Sequence, residues 1–106
     1  MFRIYYRESC PYSRRALAIL QSSLPSNKLE PIITNNVTES IHDLKNLTGG
    51  HRTVPAIFYF ANNGGKVFVG GCDSLVSKIE KIKTSPNMKV NNETIQDFVS
   101  CVKEYF

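Results

Sequence analysis

The sequence predicts an α/β sandwich around a four-stranded mixed sheet, and three observations predict it. Short β-branched and aromatic runs alternate with stretches whose apolar residues recur at helical spacing. Two of those runs, "AIFYF" (56–60) and "KVFVG" (66–70), are separated only by "ANNGG", which is hairpin material. Proline, glycine and asparagine punctuate the remaining joints.

Each element follows from its own residues. "FRIYY" (2–6) reads as a strand. Pro11 suits the first turn of a helix, where its missing N–H costs nothing. Leu17, Leu20 and Leu24 then share a face, which predicts a helix to about Ser22, broken by Pro25-Ser26-Asn27. "LEPIIT" (29–34) is a second strand. Asn36 with Glu39 resembles a capping box, and Ile41, Leu44 and Leu47 form a helical stripe ended by Gly49-Gly50. After the hairpin, Asp73 or Ser74 is expected to cap a helix with Leu75, Ile79 and Ile82 inward. "TSPN" (84–87) breaks that helix, and Asn91 or Asn92 opens a last one with Ile95, Phe98, Val99 and Val102 inward. The order is β-α-β-α-β-β-α-α. The first βαβ unit should be parallel with a right-handed crossover, and the hairpin adds antiparallel strands.

The bulk composition narrows the function classes. The 106 residues are expected to form one domain, 1–106, with one core. A net charge of +4, with no Lys/Arg block, is a weak footprint for nucleic acid, and no nucleic-acid partner is expected. No apolar run is long enough to span a membrane, so no membrane partner is expected either. "MFRIYYRES" has neither an apolar core nor a small-residue cleavage site, which predicts a cytoplasmic location. The cysteines are Cys10, Cys72 and Cys101; their odd number and wide spacing fit neither a disulfide framework nor a zinc site. In a reducing compartment they are free thiols, and their acidity decides their roles.

The chemistry concentrates around Cys10-Pro11-Tyr12-Ser13. Cys10 falls at the carboxyl end of the first strand and the amino end of the first helix, the edge where open α/β sheets bind ligands. The unpaired N–H groups of Tyr12 and Ser13, the helix dipole and nearby Arg7, Arg14 and Arg15 all favour the thiolate there. The Ser13 hydroxyl can donate a hydrogen bond to it as well. The plain alternative is an exposed cysteine that merely caps a helix. Two further stretches weigh against that. Thr53-Val54-Pro55 precedes the third strand, and a cis Pro55 would leave the Val54 backbone free to pair with an extended peptide. Gly70-Gly71 permits a tight turn and close approach of a ligand, and Cys72-Asp73-Ser74 opens a helix that suits a carboxylate. Asp73 can pair with an ammonium group. A small zwitterionic peptide carrying a thiol fits the combination.

With "RESCPYS", "RTVP" and "GGCDS" in this order, the chain resembles glutaredoxins over roughly residues 2–105. The resemblance implies a thioredoxin-like three-layer α/β/α sandwich and a glutathione-dependent thiol–disulfide oxidoreductase. It makes Cys10 the nucleophile within a Pro11, Tyr12, Ser13 motif. It assigns Arg7 to the glycine carboxylate of glutathione, where lysine is usual, and Tyr12 to the border of the groove. Arg52 falls on a contact position, and the Val54 backbone on the partner of glutathione's cysteine. Cys72, Asp73 and Ser74 fall on the γ-glutamyl clamp, and Thr53, Pro55 and Gly71 belong to the same motifs. Glutathione would serve as co-substrate with no metal. Partners would be glutathionylated proteins and the glutathione reductase system, and the protein would act as a monomer.

The chain departs from the family pattern in three places. Ser13 replaces the second motif cysteine, the clamp acid stands at Asp73 with Ser74 where an acid is usual, and the 60–66 hairpin is long. One thiol suffices for mixed disulfides of glutathione, so Ser13 biases the chain toward deglutathionylation. Cys72 is read as a half-buried contact residue and Cys101 as core, with a distant resolving role for either as the rival. His51, in the loop before Arg52, is placed to border the groove, but a surface role is the preferred reading. Two other functions stand as alternatives. One is a glutathione-ligated [2Fe–2S] carrier, disfavoured by the stiff Pro11; the other is a non-catalytic peptide- or glutathione-binding module.

Overall fold

A computed structural model describes residues 1–85 and 92–106. The expectations placed on Pro86, Asn87 and Asn91 lie outside those residues. Strand β1 (Phe2–Tyr6) leads into α1 (Pro11–Ser23), a 3-10 turn, then β2 (Leu29–Ile33). Helix α2 (Val37–Ser40) continues as a 3-10 segment, His42–Leu47. The hairpin β3 (Ala56–Phe60) and β4 (Lys66–Gly70) precedes α3 (Cys72–Lys83) and α4 (Glu93–Tyr105). The sheet order is β2-β1-β3-β4, with β1 parallel to β2 and antiparallel to β3, and β3 antiparallel to β4.

Strand alternation sorts the core into two layers. Phe2 and Ile4 of β1, with Ile57 and Tyr59 of β3, face α1, α3 and α4. Tyr5, Ala56 and Phe58 face the other way, against Val37, Ile41 and Leu44 of α2 and the segment after it. Helices on both faces of a mixed sheet are the expected three-layer sandwich. Because both faces of β3 are covered, Ala56 through Tyr59 are buried without interruption. Among the described residues, no helix is long and apolar enough to cross a membrane.

Three local expectations need correction. The buried face of α1 is Ser13, Ala16 and Leu20, whereas Leu17 is half-buried. Small residues at 13 and 16 let the start of the helix lie close to the sheet. The second helix is not continuous: Asn36 accepts the Glu39 N–H at 3.2 Å, but its own N–H is taken by the Thr34 hydroxyl at 3.1 Å, so the box is half-formed. The chain then tightens to 3-10 spacing, where every third residue lies on one side. Ile41 and Leu44 are buried on that side, whereas Leu47, at the end of the segment, is exposed. Finally, Gly71 rather than Asp73 or Ser74 caps α3, which places both polar residues inside its first turn.

The long hairpin has a structural role. Its Asn62 N–H donates to Asp97 of α4 at 2.7 Å, and the same carboxylate accepts the Tyr59 hydroxyl at 3.1 Å. Asn63 donates to Thr94 at 3.2 Å, and a Cβ at Gly65 would overlap the Thr94 side chain. The loop is thus fastened to the first turns of α4, whose own cap is Asn92. Asp97→Ala should strand two donors and cost about 1–3 kcal/mol in urea unfolding. A midpoint unchanged from wild type would show that the loop does not hold α4.

Candidate functional site

Cys10 ends the loop after β1 and begins α1. Its N–H donates to the Arg7 carbonyl at 3.1 Å, and its carbonyl accepts the Arg14 N–H at 3.0 Å, the first bond of the helix. Its backbone is extended, and Pro11 follows at the first helical position. The thiol is half-buried and makes no side-chain capping bond. Its pKa is nevertheless held below the ordinary thiol value. The Ser13 N–H is the largest cause, opposed by desolvation and helped by the Ser13 hydroxyl, the Tyr12 N–H and the Arg7 charge. The helix start therefore acts as an anion hole whose preferred occupant is the thiolate.

Ser13 joins two parts of this arrangement. It is fully buried, and its Oγ accepts the Arg7 N–H at 3.3 Å. One hydroxyl thus ties the strand's exit loop to the helix while supporting the sulfur.

Across from Cys10 stands the 53–55 segment, where the Val54–Pro55 peptide is cis. The Val54 carbonyl lies 4.0 Å from the Cys10 sulfur. Among the described residues, the Val54 N–H has no backbone partner. An extended peptide bond can therefore be paired there. A groove of about 360 Å³ runs from this segment to the mouth of α3. Tyr12, Thr53, Val54 and Pro55 line one end, and Gly71, Cys72, Asp73 and Ser74 line the other. Its volume lies in the range of small-ligand sites. Arg7 and Arg52 do not line this groove. Both line an adjoining space of about 310 Å³, which shares Thr53 and Val54 with the groove. Arg7 also donates to the Asn35 carbonyl at 3.4 Å.

The two glycines differ in what they permit. Gly70 has a φ of +112°, and a Cβ there would lie 2.6 Å from the Ser74 Cβ. The close approach at the missing Cβ is therefore made by Ser74. Gly71 has ordinary φ and no neighbour nearer than 3.7 Å to an added Cβ.

Of the two places the sequence left open for His51, surface or groove border, the structure has the second: it is a wall of the groove. Its ring packs edge-on to Phe68 at 5.2 Å, and its Nε2 lies 2.7 Å from the Thr53 carbonyl. It also comes near Gly71. A single ring thus braces the 53–55 segment, β4 and the mouth of α3. Phe68 was read only as a strand residue. A histidine directly before "RTVP" and an aromatic two residues before "GG" were the signals, but their contact is long-range.

The other thiols differ from Cys10. Cys72 lines the groove but is buried, and desolvation pushes its pKa up. Cys101 is buried in α4, also with a raised pKa, beside Tyr59 and the N-terminal amine. Met1 and Cys10 lie at opposite ends of β1, and five strand residues span about 16 Å. Cys101 is therefore a sheet-length away from Cys10. Among the described residues, no cluster of three or more His, Cys, Asp or Glu side chains could hold a metal.

Comparison with known proteins returns one kind of relative. Human glutaredoxin-1 is 44% identical over 79 residues, covering 70% of this chain and 68% of that protein. Rat glutaredoxin-1 is 36% identical over 91 residues, covering 81% and 78% respectively. Glutaredoxin 3 of Escherichia coli K12 is 39% identical over 72 residues, covering 68% and 77%. No protein-family profile matches the chain.

The thiol's acidity is open to direct test. Ser13→Ala removes one hydroxyl that favours the thiolate, so the pH midpoint of Cys10 alkylation by iodoacetamide should move up. Because the thiolate is the reacting form, alkylation then fades at a higher pH as the solution is acidified. A midpoint that stays put would assign the depressed pKa to the backbone and Arg7 alone.

Proposed function

This chain belongs to the glutaredoxin family and is a glutathione-dependent thiol–disulfide oxidoreductase, and we propose that it reduces protein–glutathione mixed disulfides with Cys10 alone. The observation that carries the one-thiol reading is Ser13, buried where a second motif cysteine would stand and turned to support the first sulfur.

In the first step the Cys10 thiolate attacks the glutathione sulfur of the mixed disulfide. The protein thiolate leaves and takes a proton from solvent, and Cys10 becomes glutathionylated. A second glutathione thiolate then attacks the glutathione sulfur held on Cys10. Glutathione disulfide departs and the Cys10 thiolate returns. The sum consumes one mixed disulfide and one glutathione and yields one free protein thiol and one glutathione disulfide. A separate reductase must regenerate glutathione, which fits a reducing compartment such as the cytoplasm.

The groove supports one placement of the substrate. The backbone of glutathione's cysteine pairs with Val54, which sets its sulfur beside Cys10. The γ-glutamyl end reaches Gly71, Cys72, Asp73 and Ser74, where the start of α3 receives the carboxylate and Asp73 the ammonium. The glycine carboxylate reaches Arg7 and Arg52, with Thr53 and Pro55 shaping the ridge between the two ends. Tyr12, which is 60% exposed, borders the entrance. His51 acts as a positioning residue by fixing Thr53 against Phe68.

The direct test is glutathione-coupled reduction of a small glutathione mixed disulfide. Cys10→Ser should abolish turnover, and Cys101→Ser should leave it within about twofold. Loss of turnover in Cys101→Ser, with the fold intact, would bring a second thiol into the cycle. Inactive wild type would sink the enzyme reading.

Two variants refine the mechanism. Ser13→Cys restores a second motif thiol and should add reduction of ordinary protein disulfides that the wild type lacks. His51→Ala should raise KM for the mixed disulfide several-fold with little change in kcat, and His51→Gln, which keeps a donor for the Thr53 carbonyl, should recover part of it. Equal losses in KM and kcat without recovery would remove His51 from the positioning role.

A further inference from the structure

A second depression, of about 260 Å³, lies beside the groove. Thr38 and Ile41 of the α2 region, Lys45 and Asn46 of the 3-10 segment, and His51 and Arg52 before β3 form it. It shares His51 with the groove and Arg52 with the space beside Arg7. Arg52 precedes Val54 by two residues, so the depression starts roughly 7 Å along the chain from the carbonyl that faces Cys10.

Its chemistry is one-sided. Lys45 and Arg52 are both exposed, and among the described residues neither takes part in an ion pair. The acids on the adjoining elements, Glu39 and Asp43, do not line it, and Asp43 is turned to His42 at 3.6 Å. The Asn46 amide supplies further donors. Around the sulfur the exposed cations Arg7, Arg14 and Arg15 outnumber the exposed acids Glu8 and Asp73; the Arg7 charge reaches Cys10, and Cys72 feels both Arg15 and Asp73. A concave surface with two cations, an amide and no acidic wall suits a carboxylate. Its size suits a side chain more than a second small molecule.

We propose that this notch receives an acidic side chain of the substrate protein, so that mixed disulfides flanked by Asp or Glu are preferred. The proposal rests on the deglutathionylation reading above. Lys45 is the residue that separates the two, because it lies outside every position assigned to glutathione. A protein chain whose glutathionylated cysteine sits at Cys10 needs only a few extended residues to reach it.

The experiment compares kcat/KM for three substrates: a glutathionylated peptide with Glu residues near its cysteine, the same peptide with Gln in their place, and the mixed disulfide of glutathione with 2-mercaptoethanol. Wild type should favour the Glu peptide by about two- to fivefold at low salt, the range of an exposed charge contact, and the preference should shrink at high salt. Lys45→Glu should erase or invert it while leaving the small mixed disulfide within twofold. Equal rates on the two peptides would overturn the proposal, as would a preference that survives Lys45→Glu. A raised KM for the small mixed disulfide in Lys45→Glu would also overturn it, by giving the notch to glutathione itself. If wild type reduces none of the three, the parent reading falls and takes this one with it.

Discussion

The site depends first on the contact that Ser13 makes at the start of α1. Its buried hydroxyl accepts the Arg7 N–H and faces the Cys10 sulfur, while its own N–H is the strongest influence on the thiol's acidity. A strand exit, a helix start and a nucleophile are thereby held by one small polar side chain. Burying a hydroxyl is unfavourable unless it is hydrogen-bonded, and here the bonds formed are the ones that fix the sulfur. Ala16 and Leu20 continue the same face into the core, so packing of α1 on the sheet sets the position of its first turn.

The sheet supplies the opposite wall. β1 and β3 are antiparallel neighbours, with Tyr5 opposite Ala56, so the exit of β1 and the entry of β3 fall at one edge. That pairing brings Val54 to Cys10 across more than forty residues of sequence. β4 ends at the same edge, and Gly70 turns the chain sharply into α3. Three chain reversals therefore meet around one groove. The same topology sends Cys101 to the far end of the sheet, near the N-terminal amine, and leaves one acidified thiol at the edge.

Much of this was legible in the sequence, and the exceptions share a cause. Strands, the Asn36 and Asn92 caps and the core faces of α3 and α4 follow from local pattern, which local physics enforces. The cap of α3 did not, because Asp73 and Ser74 are as good caps by composition as any, and the turn at Gly70 decided otherwise. The stripe Ile41, Leu44, Leu47 fits a spacing of three as well as one of 3.6, so the 3-10 segment was hidden in an α-helical reading. His51 was ranked as a surface residue first because a loop has no periodicity. Its place depends on Phe68, a partner on β4. The hairpin's role was invisible for the same reason, since Asp97 and Thr94 belong to a helix thirty residues on.

The proposed cycle asks Cys10 to be a nucleophile in one step and a leaving group in the next, and one physical feature serves both. Lowering a thiol's pKa raises its thiolate fraction but weakens the thiolate's intrinsic attack, with a Brønsted slope of about 0.4–0.5. Near neutral pH the gain in fraction outweighs that loss until the thiol is mostly ionised. A more acidic thiol also leaves faster, so the second glutathione displaces Cys10 more readily than it would an ordinary cysteine. In a two-thiol site a neighbouring cysteine would instead attack the Cys10 sulfur from within, expelling glutathione and closing an internal disulfide. With Ser13 in its place, the displacing thiol must come from solution, and the quality of Cys10 as a leaving group matters more. The Ser13 substitution thus removes the internal competitor and, by supporting the thiolate, eases the step that the loss makes bimolecular.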